Sequence, residues 1–121
     1  MESDIKIKYG VKILYTYSVN NGEKIFHELS VLSVNAASFD EAYKKAEKYA
    51  SETCETYLNV NEQTVEMSFE ALDCFLAYEE DDVFEIYSGF MKNSTPLSDG
   101  EYLYAVTQTC TAEEIYELRH R

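Results

Sequence analysis

Hydrophobic and polar residues alternate strictly over the first part of the chain, from residue 5 to residue 19. One phase of this alternation consists of Ile5, Ile7, Tyr9, Val11, Ile13, Tyr15, Tyr17 and Val19. Lys6, Lys8 and Lys12 begin the opposite phase. Because successive side chains of a strand point to opposite faces, a period of two over this length predicts a long strand with one buried face.

A second strand is predicted to follow directly. Residues 20–22 read Asn-Asn-Gly, and these residue types tolerate the positive φ angles that tight turns need. The next apolar stretch, residues 24–36, therefore forms an antiparallel hairpin with the first strand. Its hydrophobic residues change phase near residues 30–32, which predicts a β-bulge or a twist there.

The clearest helix in the sequence spans residues 38–57. Ser38 can cap its first turn, and Glu41, three residues later, completes a capping box. Its apolar stripe consists of Phe39, Ala42, Tyr43, Ala46, Tyr49, Ala50, Thr53, Cys54 and Tyr57. These residues recur at three- and four-residue steps, and the small ones among them let the helix lie close to a sheet.

The second half of the chain predicts two more strands. Residues 58–63 indicate a loop, and the alternation in residues 64–78 predicts a third strand. Its phase changes near residues 71–73, where we expect a β-bulge. Four consecutive acids at 79–82 form a predicted turn, and a fourth strand is expected over residues 83–91.

Two capping boxes predict a helical tail. They are Ser98 with Glu101 and Thr111 with Glu114. The first box favours a helical turn over residues 101–110, although the same apolar spacing also suits a strand. The second predicts a short helix over about residues 112–119. The basic residues 119–121 would then lie at the negative end of that helix.

These elements predict an α+β protein. The expected architecture is a four-stranded, mainly antiparallel sheet in the order β-β-α-β-β, with one long helix packed on one face and a short helical C-terminal tail. The length of 121 residues indicates a single domain, residues 1–121, with its core over about 5–92 and its tail over about 98–121.

Composition points to an ordered protein without a cofactor. Hydrophobic residues make up 45% of the chain, and proline occurs once. Neither a signal peptide nor a membrane-spanning segment is recognisable, so a cytoplasmic location is expected. The three cysteines lack CxxC spacing and predict buried thiols, with no zinc site. No nucleophile–base pair, metal motif or cofactor loop is recognisable, and we therefore expect a protein that is not an enzyme.

Charge adds a strong asymmetry. The net charge is −13, and residues 49–118 hold sixteen acids against a single base, Lys92. A surface of this kind repels nucleic acid and anionic membranes, so neither is expected as a partner. It would instead attract a basic protein and speed the encounter with it. The alternative is that the acidity serves only solubility.

The sharpest local feature is the run of acids at 79–82, with Glu85 close by. Contiguous acids do not match a calcium loop, which places its ligands at alternate positions. A solvated turn and a docking patch for a basic partner both remain open. Tyrosines beside the acids suit a protein interface, since they combine rigid apolar area with a hydroxyl. The predicted partner-binding residues are Tyr78, Glu79, Glu80, Asp81, Asp82, Glu85, Tyr87, Tyr102 and Tyr104.

Two stretches resemble a known family. They are HELSVLSVNAASFDEAYKKAEKYA at residues 27–50 and FEALDCFLAYEEDDVFEIYSGF at residues 69–90. Together they resemble an uncharacterised bacterial family of domains of unknown function, about a hundred residues long. The resemblance covers residues 9–90 and implies no agreed activity or catalytic residue.

The small acidic chain is also similar in composition to immunity proteins of bacterial toxin systems. That similarity implies a protein that binds and neutralises a basic toxin domain, such as a nuclease. The alternative is a regulatory or structural module that forms homo-oligomers through an uncovered sheet face or an exposed strand edge.

Overall fold

The computed structural model describes residues 7–77 and 90–121. In this part of the chain the elements are β1 (Ile7–Val19), β2 (Lys24–Ala36), α1 (Phe39–Thr53), β3 (Thr56–Leu58), β4 (Thr64–Leu76), α2 (Asp99–Thr107) and α3 (Ala112–Tyr116). The four strands form one antiparallel sheet in the order β2-β1-β4-β3. The predicted α+β class with a four-stranded antiparallel sheet is therefore confirmed.

The turn between β1 and β2 is where the Asn-Asn-Gly sequence predicts it. Asn20, Asn21 and Gly22 have φ angles of 54°, 57° and 89°, all in the left-handed region. Asparagine and glycine adopt this region more readily than other residues, because their side chains are short or absent. The turn thereby aligns the two strands along their whole length.

The register between β1 and β2 is uninterrupted, from Ile7 opposite Ala36 to Val19 opposite Lys24. The predicted bulge in β2 is therefore wrong. Its hydrophobic residues change phase for a different reason: Leu29 lies on the sheet face away from α1, where it is 53% exposed. β2 carries apolar side chains on both faces, and one of these faces is not covered by the helix.

The bulge predicted in the third long strand is confirmed. Lys12 lies opposite Asp73, whereas the next residue, Ile13, lies opposite Ala71. Leu72 is thus the additional residue, and it is exposed. A bulge changes the phase of the strand beyond it, which allows Cys74 to face the core even though the alternation is interrupted.

α1 packs on the face of the sheet formed by the predicted inward phase of β1. The buried core consists of Tyr9, Val11, Ile13, Tyr15, Ala36, Ala42, Ala46 and Ala50. At the N-terminus of the helix, the Glu41 backbone N–H donates a 3.1 Å hydrogen bond to the Ser38 hydroxyl, which confirms Ser38 as the N-cap residue. The three alanines lie on one ridge of α1 and allow the helix backbone to approach the strands closely.

α1 is shorter than predicted, since it ends at Thr53 and not at Tyr57. The residues that follow pair with β4: the Met67 N–H donates to the Glu55 carbonyl over 3.1 Å, and Thr56 lies opposite Glu66. A strand ladder therefore replaces the last helical turn. The apolar stripe predicted for this helix also includes too many residues, because Tyr49 is 56% exposed and is not covered by the sheet.

The fourth strand of the sheet is β3, a three-residue strand that lies within the predicted end of the long helix and the start of the following loop. The strand expected over residues 83–91 and the acidic turn at 79–82 lie outside the described residues, apart from Phe90 and Met91. Those two residues are irregular and exposed. The short β3 occupies the sheet edge because its backbone is aligned with β4 by the turn at residues 60–62.

Both predicted capping boxes of the tail are present, at the first turns of α2 and α3. The expected role of the basic C-terminal residues is wrong. α3 ends at Tyr116, and the chain then runs beside β3, where the Val60 N–H donates to the Arg119 carbonyl and the Arg121 N–H to the Leu58 carbonyl. These residues are therefore positioned by backbone hydrogen bonds to the end of β3 and not by the dipole of α3.

Gly10 lies in the middle of β1, directly opposite Phe75 of β4. The Phe75 ring packs on the glycine so closely that a Cβ atom there would overlap its carbon atoms. Glycine is required at this position by close contact and not by an unusual backbone angle. The aromatic ring in turn covers a stretch of strand that has no side chain of its own.

We expect Gly10→Ala to lower the free energy of unfolding by about 1–3 kcal/mol, because the ring must move from its place. Urea denaturation of Gly10→Ala, Phe75→Ala and the double variant would measure this coupling. In the Phe75→Ala background the cost of Gly10→Ala should disappear. Gly100→Ala is the control, since that glycine lies in open space. An equal cost in both backgrounds would contradict the proposed contact.

Candidate functional site

Residues 108–121, which we call the C-terminal segment, are anchored to the sheet by Asn59. This side chain is completely buried. Its amide nitrogen donates to the Glu117 carbonyl over 2.7 Å, and its amide oxygen accepts from the backbone N–H groups of Asn61 and Gln63 over 2.9 and 2.8 Å. One side chain thus both closes the turn before β4 and holds the chain beyond α3.

Tyr57 and His120 form the second contact between the sheet and the C-terminal segment. The Tyr57 hydroxyl donates to the Leu118 carbonyl over 2.5 Å. The imidazole of His120 stacks on the Tyr57 ring, with 3.8 Å between ring centroids and 14° between planes. The imidazole also lies 2.7 Å from the Glu55 carboxylate, measured from Nε2 to Oε1. Aromatic stacking and a carboxylate together fix the position of His120.

Two ion pairs lie at the edge of this contact. Lys24 approaches Glu117 to 2.8 Å, and Arg121 approaches Glu62 to 3.2 Å. The hydrogen bond to Glu117 raises the pKa of Lys24, which keeps the ammonium charged. Ion pairs with an exposed partner stabilise a fold only weakly, because water and salt screen the charges. The buried Asn59 amide therefore matters more to the C-terminal segment than its surface charges.

A cleft of about 620 Å³ opens between the C-terminal segment and the part of the sheet that lies beyond the end of α1. Three side chains in neighbouring strands line it: Phe26 of β2, Tyr17 of β1 and Met67 of β4, which the strand register places in one row. Ile115 and Leu118 of the C-terminal segment form an apolar wall. The volume lies within the usual range of small-molecule sites.

A carboxylate and a tyrosine are paired in this cleft. The Tyr17 hydroxyl donates a 2.7 Å hydrogen bond to the Glu28 carboxylate. Burial raises the pKa of Tyr17, and the hydrogen bond to the negatively charged Glu28 raises it further. Burial also raises the pKa of Tyr57, with a smaller contribution from Glu55. Both phenols therefore stay neutral at physiological pH, and the two carboxylates supply the negative charge of the cleft.

The second candidate functional feature is the exposed surface of α2. This helix packs against no other helix or strand in the described chain, and none of its residues is buried. Three of its exposed side chains are nonetheless large and mainly apolar: Tyr104 is 68% exposed, and Leu103 and Val106 are also exposed. The helix is held at its start by the capping box of Ser98 and Glu101. An ordered helix of this kind presents hydrophobic area to its surroundings.

Two of the predicted partner-binding residues, Tyr102 and Tyr104, belong to α2, where a separation of two residues puts them on different faces of the helix. The other seven, at positions 78–82, 85 and 87, lie outside the described residues. The cleft itself was missed in the sequence. The turn at residues 20–22 implies a hairpin register that would have placed Tyr17 and Glu28 close together. The position of His120 in the cleft could not be predicted in this way, because it depends on how the C-terminal segment folds back.

Several kinds of site are not found among the described residues. In these parts of the chain no group of three His, Cys, Asp or Glu side chains is arranged to hold a metal ion. Cys54, Cys74 and Cys110 are free thiols. Burial raises the pKa of Cys54 and of Cys74, so both remain protonated. None of the helices in the described ranges has the length and hydrophobicity needed to cross a bilayer.

Comparison with known proteins identifies the family of the chain. A protein-family model described as a domain of unknown function, DUF4288, matches residues 8–88. The chain belongs to this family. Searches of curated proteins and of solved structures found no match. The match to DUF4288 covers the sheet and α1, whereas α2 and the C-terminal segment follow it in the chain.

We expect Asn59→Ala to release the C-terminal segment, at a cost of about 1–3 kcal/mol, because it leaves partly buried backbone groups without their hydrogen-bond partner. Amide hydrogen exchange would measure this as lost protection at Val60 and Arg121, whose N–H groups donate to the carbonyls of Arg119 and Leu58. Asn61→Ala, which removes an exposed side chain, is the matched control. Unchanged protection in Asn59→Ala would show that other contacts hold the segment.

We also expect the helicity of α2 to depend on pH. The Ser98 backbone N–H donates to the Glu101 carboxylate and holds the pKa of Glu101 below its ordinary value of 4.5. The stabilisation is therefore fully present above that value and is lost as the pH falls through the lowered pKa.

Carbon chemical shifts of residues 102–106, recorded from about pH 5 to about pH 3, would follow this loss. Glu101→Gln should keep the helix and remove most of its pH dependence, since glutamine can accept the same hydrogen bond. If this variant showed the pH dependence of the unmodified protein, another group would be responsible.

Proposed function

We propose that this protein is a non-enzymatic binding domain of the immunity type, which covers and neutralises a basic toxin domain such as a nuclease. The observation that carries the proposal is the exposed, apolar α2. A helix without any packing partner in the described chain retains tyrosine and aliphatic side chains on its surface. Such area is costly in water and is typical of a surface that another protein covers.

The composition of α2 suits an anchor in a protein interface. Tyr104 and Leu103 are exposed, whereas Tyr102 is half-buried on a different face of the helix. Tyrosine is enriched among residues that contribute most to binding, because it offers a large rigid area and a hydroxyl. The capping box orders the first turn before any partner arrives, which reduces the conformational entropy lost on association.

The charge of the chain supports a basic partner. The net charge is −13, and Lys92 is the single base between residues 49 and 118. The first turn of α2 adds Asp99 and Glu101 to the acidic surroundings. Nucleases carry basic surfaces because they bind phosphates, so an acidic domain attracts them electrostatically. The acids at residues 79–82 and Glu85 would steer this encounter, with α2 as the apolar anchor.

A second candidate function is self-association through β2. In the described chain this thirteen-residue strand pairs with β1 alone and forms one edge of the sheet. Ile25, Leu29 and Val31 are exposed on its outer face. A long edge with apolar side chains is a template for pairing with another strand, and a second copy would supply one.

The test is affinity capture of the tagged protein from its native host, with washes at low and high salt. We expect one basic protein in stoichiometric amount, released as salt rises. Tyr104→Ala should weaken its binding by at least about 30-fold, the loss typical of an anchor residue. Tyr49→Ala is the matched control, because it removes a tyrosine that is similarly exposed but lies on α1.

Association kinetics separate the steering acids from the anchor. Glu80→Lys with Asp82→Lys should slow association and leave dissociation nearly unchanged, because charges at the edge of an interface act mainly on the encounter. Unchanged association rates would remove the acids from the interface. Recovery of the bait alone, already a defined oligomer by light scattering, would reject the toxin partner and support self-association.

A further inference from the structure

We propose that the cleft beneath the C-terminal segment binds a small organic cation, an ammonium group carried on an apolar body. This inference goes beyond the protein-binding function, because it concerns the face of the sheet on which α1 packs and requires no protein partner. It follows from three properties of the cleft: its aromatic and apolar walls, its carboxylates, and the distribution of positive charge around it.

The walls provide the apolar part of the site. Tyr17 stands between Phe26 and Met67 in the row across three strands, and Tyr57 of β3 lines the same cleft. An ammonium group is attracted to the faces of phenol and phenyl rings by their quadrupoles. The sulfur of Met67 adds a polarisable contact. A neutral hydrocarbon would gain from these walls through burial alone, whereas a cation gains from burial and from the rings.

Glu28 supplies the charge. Its carboxylate accepts the hydrogen bond from Tyr17, and no lysine, arginine or histidine forms an ion pair with it in the described part of the chain. The carboxylate lies beside the row of aromatic side chains, since Glu28 shares the face of Phe26 two residues earlier in β2. The cleft therefore has a negative group next to its apolar walls.

The basic side chains near the cleft already have hydrogen-bond partners or lie elsewhere. Among the described lining residues there is no lysine and no arginine. His120 is engaged by Glu55 and by the Tyr57 ring, and His27 is hydrogen-bonded to Thr16. An anion would meet two carboxylates without a free cation to bind it. Charge complementarity thus selects a cationic ligand over an anionic or neutral one.

The experiment is a titration of the full chain with three probes of equal size: benzylamine, benzyl alcohol and benzoate. The methyl resonance of Met67 reports on the cleft, and that of Met91, which lies in an exposed stretch, reports on unspecific binding. We expect benzylamine to shift the Met67 signal saturably, at least about tenfold more tightly than benzyl alcohol, as ring and carboxylate contacts to a cation together imply. Benzoate should not bind.

Glu28→Gln is the decisive variant. Glutamine keeps an acceptor for the Tyr17 hydroxyl and removes the charge, so the preference for benzylamine over benzyl alcohol should vanish while both still bind weakly. Glu66→Gln, on the opposite face of the sheet, is the matched control and should leave the preference unchanged. Equal binding of all three probes, a shift of Met91 without Met67, or an unchanged preference in Glu28→Gln would overturn the inference.

The outcome is independent of the protein-binding proposal. Glu28→Gln does not alter α2, and Tyr104→Ala does not alter the described lining of the cleft. If benzylamine does not bind but a basic protein is captured, only the proposal for the cleft is rejected. If benzylamine binds but no basic protein is captured, only the proposal for the docking helix is rejected.

Discussion

The packing of α1 on the inner face of β1 is the contact on which the rest of the structure depends. Val11 and Ile13 are completely buried beneath the alanine ridge of the helix. Full burial of each such side chain contributes about 1.5–3 kcal/mol. Because β1 pairs with β2 on one side and β4 on the other, the strand that the helix covers also aligns the sheet. A helix with larger side chains on this ridge could not approach the strands so closely.

The candidate sites lie where this packing stops. α1 ends at Thr53, and the sheet continues beyond it with Tyr17 and Met67 on the same face. The C-terminal segment covers that remaining area only in part, and the cleft is what it leaves open. Its attachment is polar, through the buried Asn59 amide, whereas α1 is attached by apolar burial. The family match ends before α2, so the shared part of the chain supplies the sheet and its helix.

Sequence patterns predicted the elements well wherever local chemistry decides them. The turn at residues 20–22 and the capping boxes at Ser98 and Thr111 depend on residues that are neighbours in sequence. The β-bulge at Leu72 was visible as a change of phase, because the strand is buried on one face. The similar change of phase in β2 led to a wrong prediction, because apolar residues lie on the outer face of that strand and no bulge is present. Periodicity does not distinguish these two causes, and only the register does.

The sequence by itself determined the α+β class, the hairpin, the capped helices and the strongly acidic character, because these follow from periodicity, turn residues and charge. The tertiary structure decided where α1 gives way to β3, since strand pairing with β4 competes there with helix propensity. It also decided the cleft, which needs Glu28, Tyr57 and His120 together although they lie far apart in the chain. Contacts across such distances depend on how the last residues fold back over the sheet, and no local pattern encodes them.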